Sequence, residues 1–93
     1  MENSRNGQFS GKDSSRISCL TIEAFWQHLQ KQDCSLMLFR TKNFGFVAYS
    51  PNSIYAKRQI DNYPSTVIGV YTKASNLQDI LDDAKEQESS FYA

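Results

Sequence analysis

The first third of the chain changes from an alternating apolar pattern to a helical one. Residues 16–20, Arg-Ile-Ser-Cys-Leu, alternate polar and apolar, which is typical of a half-buried strand. Thr21 can then cap a helix, with Glu23 in its first turn. Apolar residues follow at helical spacing: Ile22, Phe25, Trp26 and Leu29. These patterns predict one strand and a first helix that ends near Lys31.

The middle of the chain predicts an antiparallel hairpin. Residues 35–40 form a compact apolar run that is short enough for a strand, and residues 44–49 form a second run of aromatic and β-branched character. Residues 41–43 make the turn between them. Because side chains alternate along a strand, the second run has one face with Phe44, Phe46 and Ala48, and another with Gly45, Val47 and Tyr49.

Two further helices flank a fourth strand. Ser50-Pro51 indicates a cap followed by proline at the first helical position, and this helix should end near Asn62. Residues 66–72 predict the strand. Ser75 and Gln78 predict a capping box for a last helix. Its apolar stripe consists of Leu77, Ile80, Leu81 and Ala84.

The order of these elements predicts an α+β domain. The first six follow as βαββαβ, the order of a ferredoxin-like sandwich, with two helices on one face of a four-stranded antiparallel sheet and the other face open. We expect this domain over residues 15–74 and an added C-terminal helix over residues 75–88. Residues 1–14, rich in Ser, Gly and Asn, predict a flexible polar tail, and residues 89–93 predict a second short tail.

Charge divides the chain in two, although ten basic and ten acidic residues leave no net charge over 93 residues. Residues 1–75 hold nine basic and five acidic residues, a balance of +4. Residues 76–93 hold five acidic residues and Lys85, a balance of −4. A basic body with an acidic tail fits an anion-binding surface, and it fits equally a tail that folds back on that surface.

The sequence has no pattern typical of an enzyme or a metal site. One histidine and two cysteines cannot supply a usual zinc pattern, and no third group is identifiable that would orient His28 and Cys34 as a dyad. We therefore expect no enzyme, no metal and no cofactor. Cys19 and Cys34 are expected to be small buried residues in a reducing compartment.

The apolar runs predict an intracellular protein, in the cytoplasm or the nucleus. No apolar run follows Met1, so no signal peptide is indicated. The longest run, residues 36–39, is far too short to cross a membrane.

The second strand of the hairpin carries the most specific motif. Residues 42–49 read Lys-Asn-Phe-Gly-Phe-Val-Ala-Tyr. The longer signature of RNA recognition motifs runs basic, Gly, aromatic, Gly or Ala, Phe, Val, any residue, aromatic. Seven of the eight positions agree, with Asn43 in place of Gly. In this octamer and in its element order, the chain over residues 15–74 resembles the RNA recognition motif family.

The resemblance implies a sheet that binds single-stranded RNA. Phe44 and Phe46 would stack unpaired bases, and Lys42 beside them would meet a phosphate. Arg40 and Lys73 would complete a small basic rim with Lys42. The family carries a third exposed aromatic on its first strand. If residues 17–20 form that strand, Ser18 stands in the aromatic position. If residues 9–12 form it, Phe9 keeps the aromatic ring, but a long loop is needed before the first helix.

A second set of residues predicts a protein partner or self-association. Trp26 places a large aromatic at the edge of the first helix, and the last helix can present Leu77, Ile80 and Leu81 to another protein. The same stripe could instead lie across the open sheet.

Three functions follow from these patterns. The first is a non-catalytic module of an RNA-processing or ribonucleoprotein complex that binds single-stranded RNA through Phe44 and Phe46. The second is the same fold used mainly as a protein-interaction module of such a complex, with little RNA contact. The third is a small α/β inhibitor or adaptor in which the octamer is coincidental. That third function is indicated if residues 16–20 do not pair as the family's sheet order requires.

Overall fold

The computed structural model describes residues 16–43 and 45–91, over which the chain forms four strands, three α-helices and one 3-10 turn. In chain order these are β1 (Ile17–Cys19), α1 (Ile22–Leu29), β2 (Leu36–Arg40), β3 (Phe46–Tyr49), α2 (Ile54–Asn62), the 3-10 turn (Pro64–Thr66), β4 (Val67–Tyr71) and α3 (Leu77–Phe91). The tail predicted over residues 1–14 lies outside the described residues.

The strands form one antiparallel sheet in the order β1-β3-β2-β4. The predicted hairpin is its centre, with Arg40 opposite Phe46 at one end. β1 pairs with β3, with Ile17 opposite Ala48, and β4 pairs with the other side of β2. The predicted α+β class and four-stranded antiparallel sheet are therefore confirmed.

The position of β4 differs from the prediction. The connections β1-α1-β2 and β3-α2-β4 cross the sheet in the same direction, but β1 and β3 point in opposite directions. Because such crossovers are right-handed, this arrangement places α1 and α2 on opposite faces. Both helices on one face would have required β4 beside β1. β1 therefore lies at an edge of the sheet, which is the outcome expected if the octamer is coincidental.

One face of the sheet, which we call the α1–α3 face, carries the main core. Leu38 of β2 and Ala48 of β3 are fully buried there against Phe25 and Leu29 of α1. Ile80 of α3 is fully buried in the same cluster. The last helix is therefore an integral layer of the fold.

The opposite side of the sheet carries a smaller core. We call this side, including helix α2, the α2 face. Ala56 of α2 packs with Phe39 and Val47, and all three are buried. Tyr49 and Val67 lie at the margin of this cluster. The face that the sequence predicted to be open, with Phe46 and Ala48, is thus covered by α1 and α3, whereas α2 lies on the Val47 face as predicted. The sheet is therefore the middle of three layers.

The starts of α1 and α2 are set by hydroxyl side chains. The Oγ1 of Thr21 accepts a hydrogen bond from the N–H of Ala24 at 3.1 Å, so the predicted cap of α1 is confirmed. α2 begins later than predicted, because Ser53 rather than Ser50 accepts from the N–H of Ala56, also at 3.1 Å. Either hydroxyl satisfies a backbone donor that has no partner within its helix.

α3 begins with an Asn cap. The Oδ1 of Asn76 accepts from the N–H of Gln78 at 2.7 Å. The predicted cap, Ser75, instead accepts from the N–H of Thr72 at 2.9 Å and closes the turn after β4. The helix continues to Phe91, beyond the predicted end at residue 88.

Candidate functional site

Arg40, predicted to contact RNA, holds α3 on the sheet. Its Nε donates to Oε1 of Gln87 at 2.6 Å, and one terminal nitrogen donates to the backbone oxygen of Ala84 at 2.8 Å. The guanidinium also lies 5.1 Å from the ring centroid of Phe46, a cation–π distance. Its donors are thus engaged within the chain, so the prediction for Arg40 is not supported by its position.

Phe46 does not lie on an open platform. It is half-buried on the α1–α3 face, where it packs against the main core beneath the Arg40 guanidinium. Phe44, its predicted companion, lies outside the described residues. A stacking platform built on this face would need α3 to move away.

The predicted basic rim is not brought together. Lys42 lies in the turn between β2 and β3, whereas Lys73 follows β4 at the opposite end of the sheet. The Nζ of Lys73 is 2.9 Å from Oδ1 of Asp33, in an exposed ion pair. Of the predicted rim residues, Arg40 and Lys42 line the groove described below, and the Arg40 guanidinium is bound to α3.

The residues predicted to bind a partner pack inside the chain. Ile80 is fully buried, and Leu77 and Leu81 are half-buried against the main core. Trp26 is also half-buried, and its Nε1 donates to the backbone oxygen of Ser75 at 3.3 Å. Much of their apolar surface is therefore buried within the chain itself. This matches the alternative that the sequence left open, in which the stripe of α3 lies across the sheet.

Tyr71 forms a second contact between the sheet and α3. Its hydroxyl donates to Oδ2 of Asp83 at 2.8 Å, and its ring meets Phe25 edge-on at 6.1 Å. Burial raises the pKa of Tyr71 well above its ordinary value, and the bond to Asp83 and the charges of Asp83 and Asp79 act in the same direction. The neutral phenol is therefore part of the docked state.

The two cysteines have different environments. Cys19 is buried, and burial raises the pKa of its thiol. Cys34 is exposed, so the prediction of burial is wrong for this residue.

The charge asymmetry of the sequence becomes an asymmetry between the two faces of the sheet. All acidic residues after position 75 lie exposed on α3, over the α1–α3 face: Asp79, Asp82, Asp83, Glu86 and Glu88. The described residues of α2 and of the groove beside it carry Arg16, Lys42, Lys57 and Arg58, besides Arg40 whose guanidinium is bound to α3, against the single carboxylate of Asp61. The acidic helix therefore does not neutralise the basic α2 face.

A groove of about 280 Å³ lies on the α2 face, between α2 and β3. Its floor is formed by Val47 and Tyr49, and one wall by Gln59 and Tyr63 of the α2 segment. The remaining lining residues are Arg16, Arg40, Thr41, Lys42 and Thr66. No carboxylate occurs among these nine, so the groove favours an anionic ligand.

A buried threonine orients the amide in the groove wall. Thr66, only 8 % exposed, donates its hydroxyl proton to the backbone oxygen of Tyr63 at 2.6 Å. The Oγ1 of Thr66 in turn accepts a hydrogen bond from Nε2 of Gln59 at 3.2 Å. Because a hydroxyl has one proton, the nitrogen of Gln59 must face Thr66, which leaves its Oε1 as an acceptor for another group.

The two tyrosines of the groove differ in their free surface. The ring of Tyr49 lies between Phe39, at 5.8 Å, and Tyr55, at 5.9 Å, and is half-buried. Tyr63 is 53 % exposed. Of the two rings, Tyr63 is the one with a face open to a ligand.

Exposed apolar side chains are concentrated around α2. Ile54, Tyr55, Ile60 and Tyr63 all belong to the α2 segment, and Val70 is opposite Met37, whose side chain is on the α2 face. Their exposed fractions run from 37 % to 57 %. The sixth large apolar residue exposed in the described part of the chain, Leu20 at 79 %, lies apart from them, between β1 and α1. Such a concentration is typical of an interaction surface.

Over residues 16–43 and 45–91 the structure has no cluster of three metal-ligating side chains. The helices of this part of the chain are too short or too polar to cross a membrane.

No family model, curated protein or solved structure matches this chain. The resemblance to the RNA recognition motif family therefore rests on the octamer and the element order alone.

Of the nine lining residues, the sequence predicted only Arg40 and Lys42 as site residues. The other seven, among them Arg16, Tyr49, Gln59 and Tyr63, were not predicted. The sequence pattern placed Tyr63 only after the end of the second helix, and Tyr49 only on the strand face that packs against the helices. The available signal was the excess of cations before residue 76, which indicated a basic surface but not its position.

Proposed function

We propose that this chain is a non-catalytic module that binds single-stranded RNA through its α2 face, rather than through Phe44 and Phe46. The observation that carries the proposal is the separation of charge between the two faces of the sheet. Arg16, Lys42, Lys57 and Arg58 lie on the side away from the acidic helix α3. Cations that are not neutralised by the protein itself are available to phosphates.

The aromatic content of the same face supports RNA over a simple polyanion. Tyr55 and Tyr63 are exposed beside the cations. Exposed aromatic rings stack on unpaired bases, which duplex RNA does not offer. The α2 face therefore combines the two features that single-strand binding needs.

A titration by NMR tests both the binding and its location. Backbone amide shifts would be followed during addition of mixed-sequence decamer RNA at low and at near-physiological salt. We expect saturable shifts in Arg16, in Val47 and Tyr49, and along α2. Absence of saturable shifts at low salt would overturn the proposal. Shifts centred on Phe46 and α3 would overturn the assignment to the α2 face.

Lys42 and Lys85 form a matched pair for the control. Both are exposed lysines, but Lys85 belongs to the acidic helix α3. Lys42→Ala should weaken RNA binding and lower the dependence of log affinity on log salt by about one. Lys85→Ala should leave both unchanged, and equal effects of the two substitutions would contradict the proposal.

A second candidate function is self-association, favoured by the aliphatic part of the exposed surface. Ile54, Ile60 and Val70 are 57 %, 37 % and 49 % exposed, and aliphatic side chains do not stack on bases. The basic α2 face is complementary in charge to the acidic α3 of a second copy. Because these are two different surfaces, the contact would be head-to-tail and would not close as a dimer.

Light scattering over a range of protein concentrations separates the two functions. Self-association through this contact predicts a mass that rises with concentration and falls in salt, and that Ile54→Lys returns to the monomer. A constant monomer mass at all concentrations would remove this candidate and leave RNA binding unaffected.

A further inference from the structure

The groove beside α2 is narrow, mixed in polarity and flanked by cations. Its volume of about 280 Å³ lies just under the usual range for drug-sized ligands, about 300–1,000 Å³, and fits a smaller planar group. Val47 and Tyr49 supply an apolar floor, and Tyr63 supplies a ring with an exposed face. These are the surfaces that a flat aromatic ligand requires.

Three cations line the groove, and because the Arg40 guanidinium is bound to α3, Arg16 and Lys42 are the two left for a ligand. The backbone of Arg16 precedes Ile17, which is opposite Ala48, and the residue also lines a neighbouring pocket that includes Thr41 and Phe46. Lys42 lies in the turn before β3, at the Phe46 end. A chain of phosphates that passes the groove would therefore meet both cations.

Gln59 adds a hydrogen-bonding edge to the wall. Thr66 fixes the amide so that Oε1 stays available as an acceptor, and Nε2 keeps a second hydrogen that it can donate. An adjacent acceptor and donor can bind the edge of a nucleobase bidentately. A phosphate, which has acceptors only, could use just one of these two groups.

We propose that the groove holds one unpaired base of the bound RNA, stacked on Tyr63 and hydrogen-bonded to Gln59, with its flanking phosphates at Arg16 and Lys42. This inference rests on the proposed RNA-binding function and adds the position at which a base is read. Tyr49 acts as the floor, since Phe39 and Tyr55 lie against its ring.

The test compares RNA with and without bases. Fluorescently labelled hexamers of each of the four nucleotides, and an abasic ribose-phosphate hexamer of the same charge, would be titrated with the wild-type chain and with Tyr63→Ala, Tyr63→Phe and Gln59→Leu. Tyr63→Ala should weaken binding of the preferred hexamer about five- to 160-fold, the range typical of one base stack. Tyr63→Phe keeps the ring and should bind normally. Gln59→Leu should reduce the differences among the four bases.

The abasic hexamer distinguishes the failure of this inference from the failure of the proposed function. We expect it to bind weakly and equally to the wild-type chain and to Tyr63→Ala. If it binds as well as the base-containing hexamers, base insertion is overturned while electrostatic RNA binding stands. If no hexamer binds, both the proposed RNA-binding function and this inference are overturned. Thermal unfolding of each variant identifies any loss of fold, which is not expected for exposed Tyr63.

Discussion

At the scale of single residues, Arg40 makes contacts with α3 that a lysine cannot reproduce. Its guanidinium donates to Gln87 and to the backbone of Ala84, and lies over Phe46. Lysine keeps the charge but has no planar fork. We expect Arg40→Lys to lower the free energy of unfolding by about 1–3 kcal/mol, measured by urea denaturation. Lys42→Arg is the control, and an Arg40→Lys variant as stable as the wild type would show that this contact does not hold α3.

We expect Tyr71 to make the fold less stable as the pH rises into the alkaline range. Its pKa is raised in the folded state from an ordinary value of 10.0, and that of Cys19 from 9.0. The unfolded chain therefore loses these protons first. The stabilisation is complete below these ordinary values and is lost as the pH rises through them towards the folded pKa of each group. The free energy of unfolding should fall above about pH 9, by up to about 1.4 kcal/mol per pH unit for each group.

Replacement of the phenol isolates the contribution of Tyr71. Tyr71→Phe should be less stable at pH 7, because Asp83 loses its hydrogen-bond donor. Between pH 10 and 11 its stability should fall less steeply with pH than that of the wild type, in denaturant titrations at fixed salt. An unchanged slope would mean that Tyr71 does not titrate with unfolding.

At the scale of elements, two isoleucines compare a helix position buried in the core with one exposed on the surface. Ile80 of α3 is fully buried in the main core, and Ile54 of α2 is 57 % exposed. Ile80→Ala should cost about 2–5 kcal/mol of unfolding free energy, since it leaves a cavity. Ile54→Ala should change it by less than about 0.5 kcal/mol. Similar costs for the two would contradict the packing of α3 on the sheet.

The sequence predicted the elements well because their signals are local. Thr21 at the start of α1 and the aromatic run of β3 can be recognised from a few neighbouring residues. Whether α1 and α2 share one face of the sheet depends on strand order, which no local pattern contains. One signal was available: residues 36–39 are apolar on both faces, which is typical of a strand covered on both sides. The groove could not be predicted, because it joins Arg16, Tyr49 and Tyr63 across three elements.

At the scale of the whole molecule, α3 and the sheet should unfold together. The helix supplies Ile80 and Ala84 to the main core and is tied to the sheet through Arg40 and Tyr71. A single cooperative unit is therefore expected, rather than a domain over residues 15–74 with a separable helix. In native-state hydrogen exchange, amides around Ile80 should be as protected as those around Leu38. Much faster exchange in α3 would indicate that the helix detaches independently.

The hairpin at the centre of the sheet also determines the order in which the sheet can be assembled. β2 and β3 are joined by the short segment 41–45, whereas β1 and β4 reach their partners only across a helix. Because closing a short loop costs less chain entropy, the central pair should form first and the edge strands should join it later. Substitutions in the hairpin should then slow folding, while substitutions in the three-residue strand β1 should mainly speed unfolding.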